Sequence, residues 1–263
     1  LIYVPGSYAD TAELVALARV AAAHGAAYAT HMRDEGANLD AALEEAVAIA
    51  RASGARLQVS HCKAAGRAAH GSAGRLLERL AAARLDGVDA QGDQYPYDAG
   101  ATVLSSLLPP AVAAGGTEAM RARLRDPAAR AGLRAQAERG GVGDGGWALA
   151  DPGDVLVTGH RDPGVAGRTL AEAAGGRDPW DRLCELVADD PAATIVIRLM
   201  REDDVRAIMA SPLVGVGSDS LAPSGLGHPR TWGCFPRLLG RYVRELGVLS
   251  WEQAVRKATW LGA

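Results

Sequence analysis

Apolar positions in the first hundred residues alternate between two spacings. Short apolar runs at 1–4, 26–30, 56–60 and 87–91 read as strands, the last ending near Asp93. Between them the spacing becomes helical. Asp10 is placed to cap a helix reaching about His24, with Leu14, Leu17 and Ala18 on one stripe and Gly25 to end it. Asn38 precedes Leu39, Leu43, Ala46, Val47 and Ala50, a core-facing stripe closed by Gly54. A third helix is expected over 72–84. Strands alternating with helices in this way imply parallel strands with right-handed crossovers, an α/β architecture.

The alternation breaks over 99–193, which holds Pro109-Pro110, Gly115-Gly116, an Arg-rich helix expected over 118–139, and a glycine cluster at 140–146. This stretch reads as an inserted subdomain. Order returns with a strand at 194–197, a helix at 202–210 and an apolar strand at 213–216 that runs into Gly217-Ser218-Asp219. Two closing helices follow, the last opened by Ser250 with Gln253 three residues on, the spacing of a capping box. The divisions expected are therefore 1–98, 99–193 and 194–263.

Composition narrows the partners. The 263 residues carry 28 basic and 31 acidic side chains, a formal net charge of −3 that attracts neither nucleic acid nor an anionic membrane. Small molecules become the expected partners. The 3 cysteines, Cys62, Cys184 and Cys234, are too widely spaced for a disulfide framework, which suits a reducing cytoplasm. No apolar run approaches the ~18 residues of a membrane span. The chain opens without Met on a strand-like segment and stops just after a helix, so an interior piece of a longer protein is expected.

Chemistry concentrates at strand ends. In a parallel β/α barrel the carboxyl ends of the strands build the active face. His31 closes one expected strand, His61 the next and Asp219 the last. Two imidazoles and a carboxylate arriving at one rim are ligand types that a hydrolytic zinc uses. A lone histidine after a strand is ordinarily a loop residue, and His24, His70 and His160 are read that way.

Five segments stand out in order: Thr30-His31-Met32-Arg33-Asp34-Glu35, Ser60-His61-Cys62-Lys63, Asp93-Gln94-Tyr95-Pro96-Tyr97, Gly217-Ser218-Asp219 and His228-Pro229-Arg230. Together they resemble the D-aminoacylase family of the amidohydrolase superfamily. Residues 3–8 and 235–242 look like that family too, while the central stretch matches weakly. The resemblance implies a metal-dependent-hydrolase TIM barrel, here about the last five of eight βα units, with an excursion after the seventh strand. It implies zinc held by His31, His61 and Asp219, with Asp219 also the general base. Lys63, Tyr95 and Arg230 correspond to groups that hold the substrate carboxylate. The implied reaction is hydrolysis of the linear amide of N-acyl-D-amino acids, as part of a longer enzyme.

The pattern is also incomplete. The family's His-x-His pair and metal-binding cysteine are missing, and Cys62, following a ligand on the same strand, should face the core. A cyclic-amide hydrolase of the dihydropyrimidinase or dihydroorotase kind and a catalytically incomplete barrel stay open as alternatives. Leu104 and Leu107 are placed either to line a side-chain pocket or to fill a helix core. Open sheet edges are expected to seek cover from another chain or a second copy.

Overall fold

A computed structural model describes residues 1–220 and 226–262 of the chain. Three αβ repeats form as the spacing predicts. Helix α1 (Thr11–Ala23) starts where the Asp10 side chain accepts the Glu13 amide, and it leads into β1 (Ala27–Thr30). Helix α2 (Leu39–Ser53) ends on Gly54 at φ 75°, a left-handed turn that glycine adopts without a Cβ penalty. Strand β2 (Arg56–Val59), helix α3 (Ala73–Leu85) and strand β3 (Ala90–Gln94) follow, with β3 starting three residues later than the apolar run suggested. Neither Asn38 nor Ser72 makes a side-chain cap bond. Instead Asp34 Oδ1 accepts the Gly36 and Asn38 amides, and Asp204, distant in sequence, accepts those of Gly71 and Ala73.

Residues 1–4 are not the expected strand. The Leu1 nitrogen donates to the His31 carbonyl, and the Ser7 and Tyr8 amides turn back on Tyr3 and Pro5. Pro5 has no amide hydrogen to offer a ladder, and the segment curls into a 3-10 turn at Gly6–Tyr8.

The central stretch builds its own sheet and core. Strand β4 (Ala99–Val103) precedes two helices, α4 (Gly116–Arg125) and α5 (Pro127–Ala137), where one was expected. Pro127 cannot continue α4, and Asp126 caps the new helix through the Ala128 amide. Strand β5 (Val155–Gly159), helices α6 (Leu170–Ala174) and α7 (Pro179–Asp189), and strand β6 (Thr194–Arg198) complete the unit. Strand β6 pairs antiparallel with both β4 and β5, so a sequence boundary at 193 falls inside this sheet. Trp180, Leu183, Val187, Ile195 and Ile197 are buried together beneath it.

Helix α8 (Glu202–Ala210) then returns the chain to β7 (Val214–Val216), and α9 (Arg230–Arg237), a π-helical turn at Leu238–Glu245, and α10 (Trp251–Ala258) close it. The capping box of Ser250 and Gln253 forms. In the first sheet the order is β1-β2-β3-β7, all neighbours parallel. Four parallel strands thus stand where five were expected, residues 1–4 being the difference. Leu43, Ala46, Leu76, Leu80, Leu57, Val59 and Ala90 fill the layer between this sheet and α2 and α3. All four strands point their carboxyl ends the same way, which gathers the loops after them on one side.

Candidate active site

Those loops carry the expected residues. His31 follows β1, His61 follows β2, Tyr95 follows β3, and Asp219 follows β7. His31, His61, Lys63, Tyr95, Asp219 and Arg230 all line one cavity of about 580 Å³, which the inserted unit walls on its other side. Among the described residues, the non-glycine positions with positive φ are His61 (41°) and Asp219 (46°). Side chains rarely tolerate this backbone, and where it persists the surroundings hold it in place, most often at functional sites.

The two histidines meet edge to face. His31 Nδ1 lies 2.8 Å from His61 Nε2, with ring centroids 4.4 Å apart. Glu35 stands behind them, its carboxylate 3.6 Å from His31 Nε2 and 3.0 Å from His61 Nδ1. Lys63 Nζ is 2.7 Å from Glu35 Oε1 and 2.7 Å from His61 Nδ1. Burial pushes His31 down to about 3, against the pull of Glu35, so this ring is neutral near pH 7. Burial also works against the charge on Glu35, yet His31, Lys63 and His61 together hold its carboxyl well below the usual range. Desolvation works against the charge on Lys63 as well, and Glu35, Tyr95 and Asp219 together outweigh it and raise the ammonium above its usual value. The result is a buried, charged Glu35–Lys63 pair backing a pair of imidazoles.

The donor set tests whether a metal fits. His31, Glu35 and His61 offer ligand atoms within 4.8 Å of one another. His31 Nδ1 and His61 Nε2 face each other across 2.8 Å, and Glu35 addresses the opposite nitrogens. Two imidazoles therefore suit zinc, and Glu35 occupies the place of an outer carboxylate that orients histidine ligands. Asp219 stands apart from this cluster, 2.7 Å from Arg230 Nη1.

Arg230 is 2 % exposed and begins α9. Its guanidinium lies 4.5 Å from the centre of the Tyr95 ring, and Nη2 donates to the Ala101 carbonyl at 3.3 Å. Its contact with Asp219 is close but not aligned as a hydrogen bond, and Nε has no hydrogen-bond partner. A buried guanidinium with unused donors on a cavity wall is built to meet an anion. His228 steers it: the Arg230 amide donates to His228 Nδ1 at 2.9 Å, which leaves Nε2–H to donate to the Ala99 carbonyl at 3.0 Å. Gly100 is needed here, since a Cβ would come within 3.1 Å of the Tyr95 hydroxyl.

No family model matches the chain. Curated relatives do. An N-acyl-D-glutamate deacylase of Alcaligenes xylosoxydans xylosoxydans is 36% identical over 269 residues, which take in 100% of this chain and 46% of that protein. A D-aminoacylase of the same organism is 34% identical, matching 99% of this chain and 45% of itself. A solved N-acyl-D-glutamate deacylase from Bordetella bronchiseptica, complexed with zinc and a phosphonate mimic of the tetrahedral intermediate, superposes with a TM-score of 0.78 at 32% identity, covering 100% of this chain and 47% of that one. The chain is a homologue of the D-aminoacylases. It spans about half the length of the curated relatives it matches. Its α/β fold is that of the D-aminoacylase structures, of the amidohydrolase barrel type.

Other residues settle into plain roles. His70 and His160 each meet a backbone carbonyl, of Leu199 and Leu186. Cys62 is buried, its thiol near the Val59 carbonyl and directly beneath Gly92. Leu107 lines the cavity, while Leu104 is buried in the core of the inserted unit. Sequence reasoning quoted Glu35 within a motif and gave it no role. The structure separates the three charges of the run Arg33-Asp34-Glu35: Arg33 pairs with Glu45, Asp34 with nearby amides, and only Glu35 turns to the histidines.

Proposed function

We propose that this chain supplies the substrate-holding part of a zinc-dependent hydrolase of N-acyl-D-amino acids. The observation that carries the reading is the convergence of His31, His61, Lys63, Tyr95, Asp219 and Arg230 on one cavity. His31 Nδ1 and His61 Nε2 would hold the metal, with its further ligands coming from polypeptide outside the 263 residues. What zinc supplies when bound in such a site is Lewis acidity, activating water and polarising an acyl oxygen. Asp219 is the general base. Its Oδ2 is anchored on Arg230, which leaves Oδ1 to take the proton of the attacking water and return it to the departing amine. Arg230, Tyr95 and Lys63 orient the substrate carboxylate, and with that end fixed only one hand of the α-carbon presents its amide to the reacting water.

The test is hydrolysis of N-acyl-D-amino acids by the polypeptide that contains this chain, with L enantiomers and cyclic imides alongside. Release of free D-amino acids from the linear D substrates is expected. Preference for the cyclic imides would move the function to a cyclic-amide hydrolase, and no hydrolysis with zinc bound would leave a catalytically incomplete barrel.

A further inference from the structure

The Asp93 carboxylate bonds to the strained turn at His61 and packs against the approach to the one at Asp219. Asp93 lies on β3, between β2 and β7 in the sheet. Its Oδ1 accepts the His61 amide at 2.8 Å, at the residue whose φ is 41°. Its backbone carbonyl accepts the next amide, of Cys62, at 2.7 Å. On the other side Gly217 packs flat against it: a Cβ at Gly217 would fall 3.1 Å from Asp93 Oδ1 and 3.4 Å from its Cγ. Gly217 stands two residues before Asp219, the second strained residue. The remaining oxygen, Oδ2, is held by Gln58 Nε2 at 2.6 Å, which fixes the carboxylate plane.

We propose that Asp93 is the positioning residue for both His61 and Asp219. A left-handed turn at a histidine is disfavoured on its own, and a carboxylate acceptor fixed by Gln58 of the neighbouring strand makes it the lowest state. The same carboxylate sets how closely β7 can approach, and so where the Asp219 turn begins. This inference rests on the roles given above to His61 and Asp219, while its geometry does not.

The test uses the polypeptide that contains this chain, labelled with 15N, comparing wild type with Asp93→Ala, Asp93→Asn and Gly217→Ala. Asparagine keeps an oxygen for the His61 amide, and the Gln58 amide can reverse to meet the new NH2 group. Hydrogen exchange at the His61 amide is expected to rise at least about tenfold in Asp93→Ala and to stay near wild type in Asp93→Asn, with the Leu76 and Leu80 amides of α3 as controls. Zinc affinity by competition with a chromophoric chelator is expected to fall about tenfold in Asp93→Ala, the loss typical of an outer partner of a metal ligand, and to recover in Asp93→Asn. Gly217→Ala should shift the resonances of Asp219 and His61 together. Unchanged His61 exchange in Asp93→Ala, or equal damage from alanine and asparagine, would overturn the proposal. Absence of zinc binding by the wild type would count against the metal reading, and the exchange result would still decide the role of Asp93.

Discussion

Gly92 and Cys62 show how tightly single residues are constrained beneath the site. A methyl group at Gly92 would overlap the Cys62 sulfur and come within 3.1 Å of the Val59 carbonyl. Gly92→Ala should therefore destabilise the chain by roughly 1 to 3 kcal/mol, the ordinary cost of overpacking. Urea unfolding of Gly92→Ala, Cys62→Ala and the double variant tests this: the double variant should recover most of the loss, because the second change makes room for the first. Lys257 supplies a test in pH. Buried under β7, it donates to the Ser211 and Val214 carbonyls, and desolvation pushes it from 10.5 down to about 8. Between those values the unfolded chain binds more protons than the folded one, so unfolding free energy should climb with pH from about 8 to about 10.5. Lys257→Met should flatten that climb in urea titrations run across the window. The imidazoles and the carboxylate of the site were legible as residues because each ends an apolar run. Glu35 and Asp93 were not, because their partners come from other strands and no local spacing records them.

At the scale of elements, termini decide more than propensity. The capping boxes of Thr169 with Glu172 and Ser250 with Gln253 both close. Replacing Ser250 with alanine should cost about 1 kcal/mol, measured as a lowered urea midpoint with unchanged slope. Asn38 and Ser72 make no cap bond; Asp34 holds the turn ahead of α2, and Asp204 accepts the amide of Ala73 at the start of α3. Asp204 arrives from α8, a contact between distant segments that a linear reading cannot contain. Residues 1–4 were misread for a related reason: four apolar residues describe a strand only if a neighbour offers a ladder, and Pro5 and the turn onto Tyr3 remove it. The split between α4 and α5, in contrast, was written locally in Asp126-Pro127.

Over the whole molecule, the βα repeats and the rim that carries the candidate site were readable because hydrophobic period and strand order agree. The inserted unit was not. Its three strands pair antiparallel across about a hundred residues, and nothing in the local pattern at 194–197 names β4 and β5 as the partners of β6. That unit nonetheless walls the cavity, so its stability should bear on the site. Trp180, buried at its centre with its indole N–H on the Arg130 carbonyl, is the residue to remove. Trp180→Ala should cost roughly 3 to 5 kcal/mol and loosen β4–β6 in hydrogen exchange before the parallel sheet opens. No helix among the described residues is long and apolar enough to cross a membrane. The central claim is that His31 and His61 form the metal-holding face of the rim shared with Asp219. Anomalous diffraction at the zinc edge from crystals soaked in zinc tests it most directly. Density in contact with both imidazoles, on the side away from Glu35, is the result expected; zinc bound only elsewhere, with the two rings still paired to each other, would contradict it.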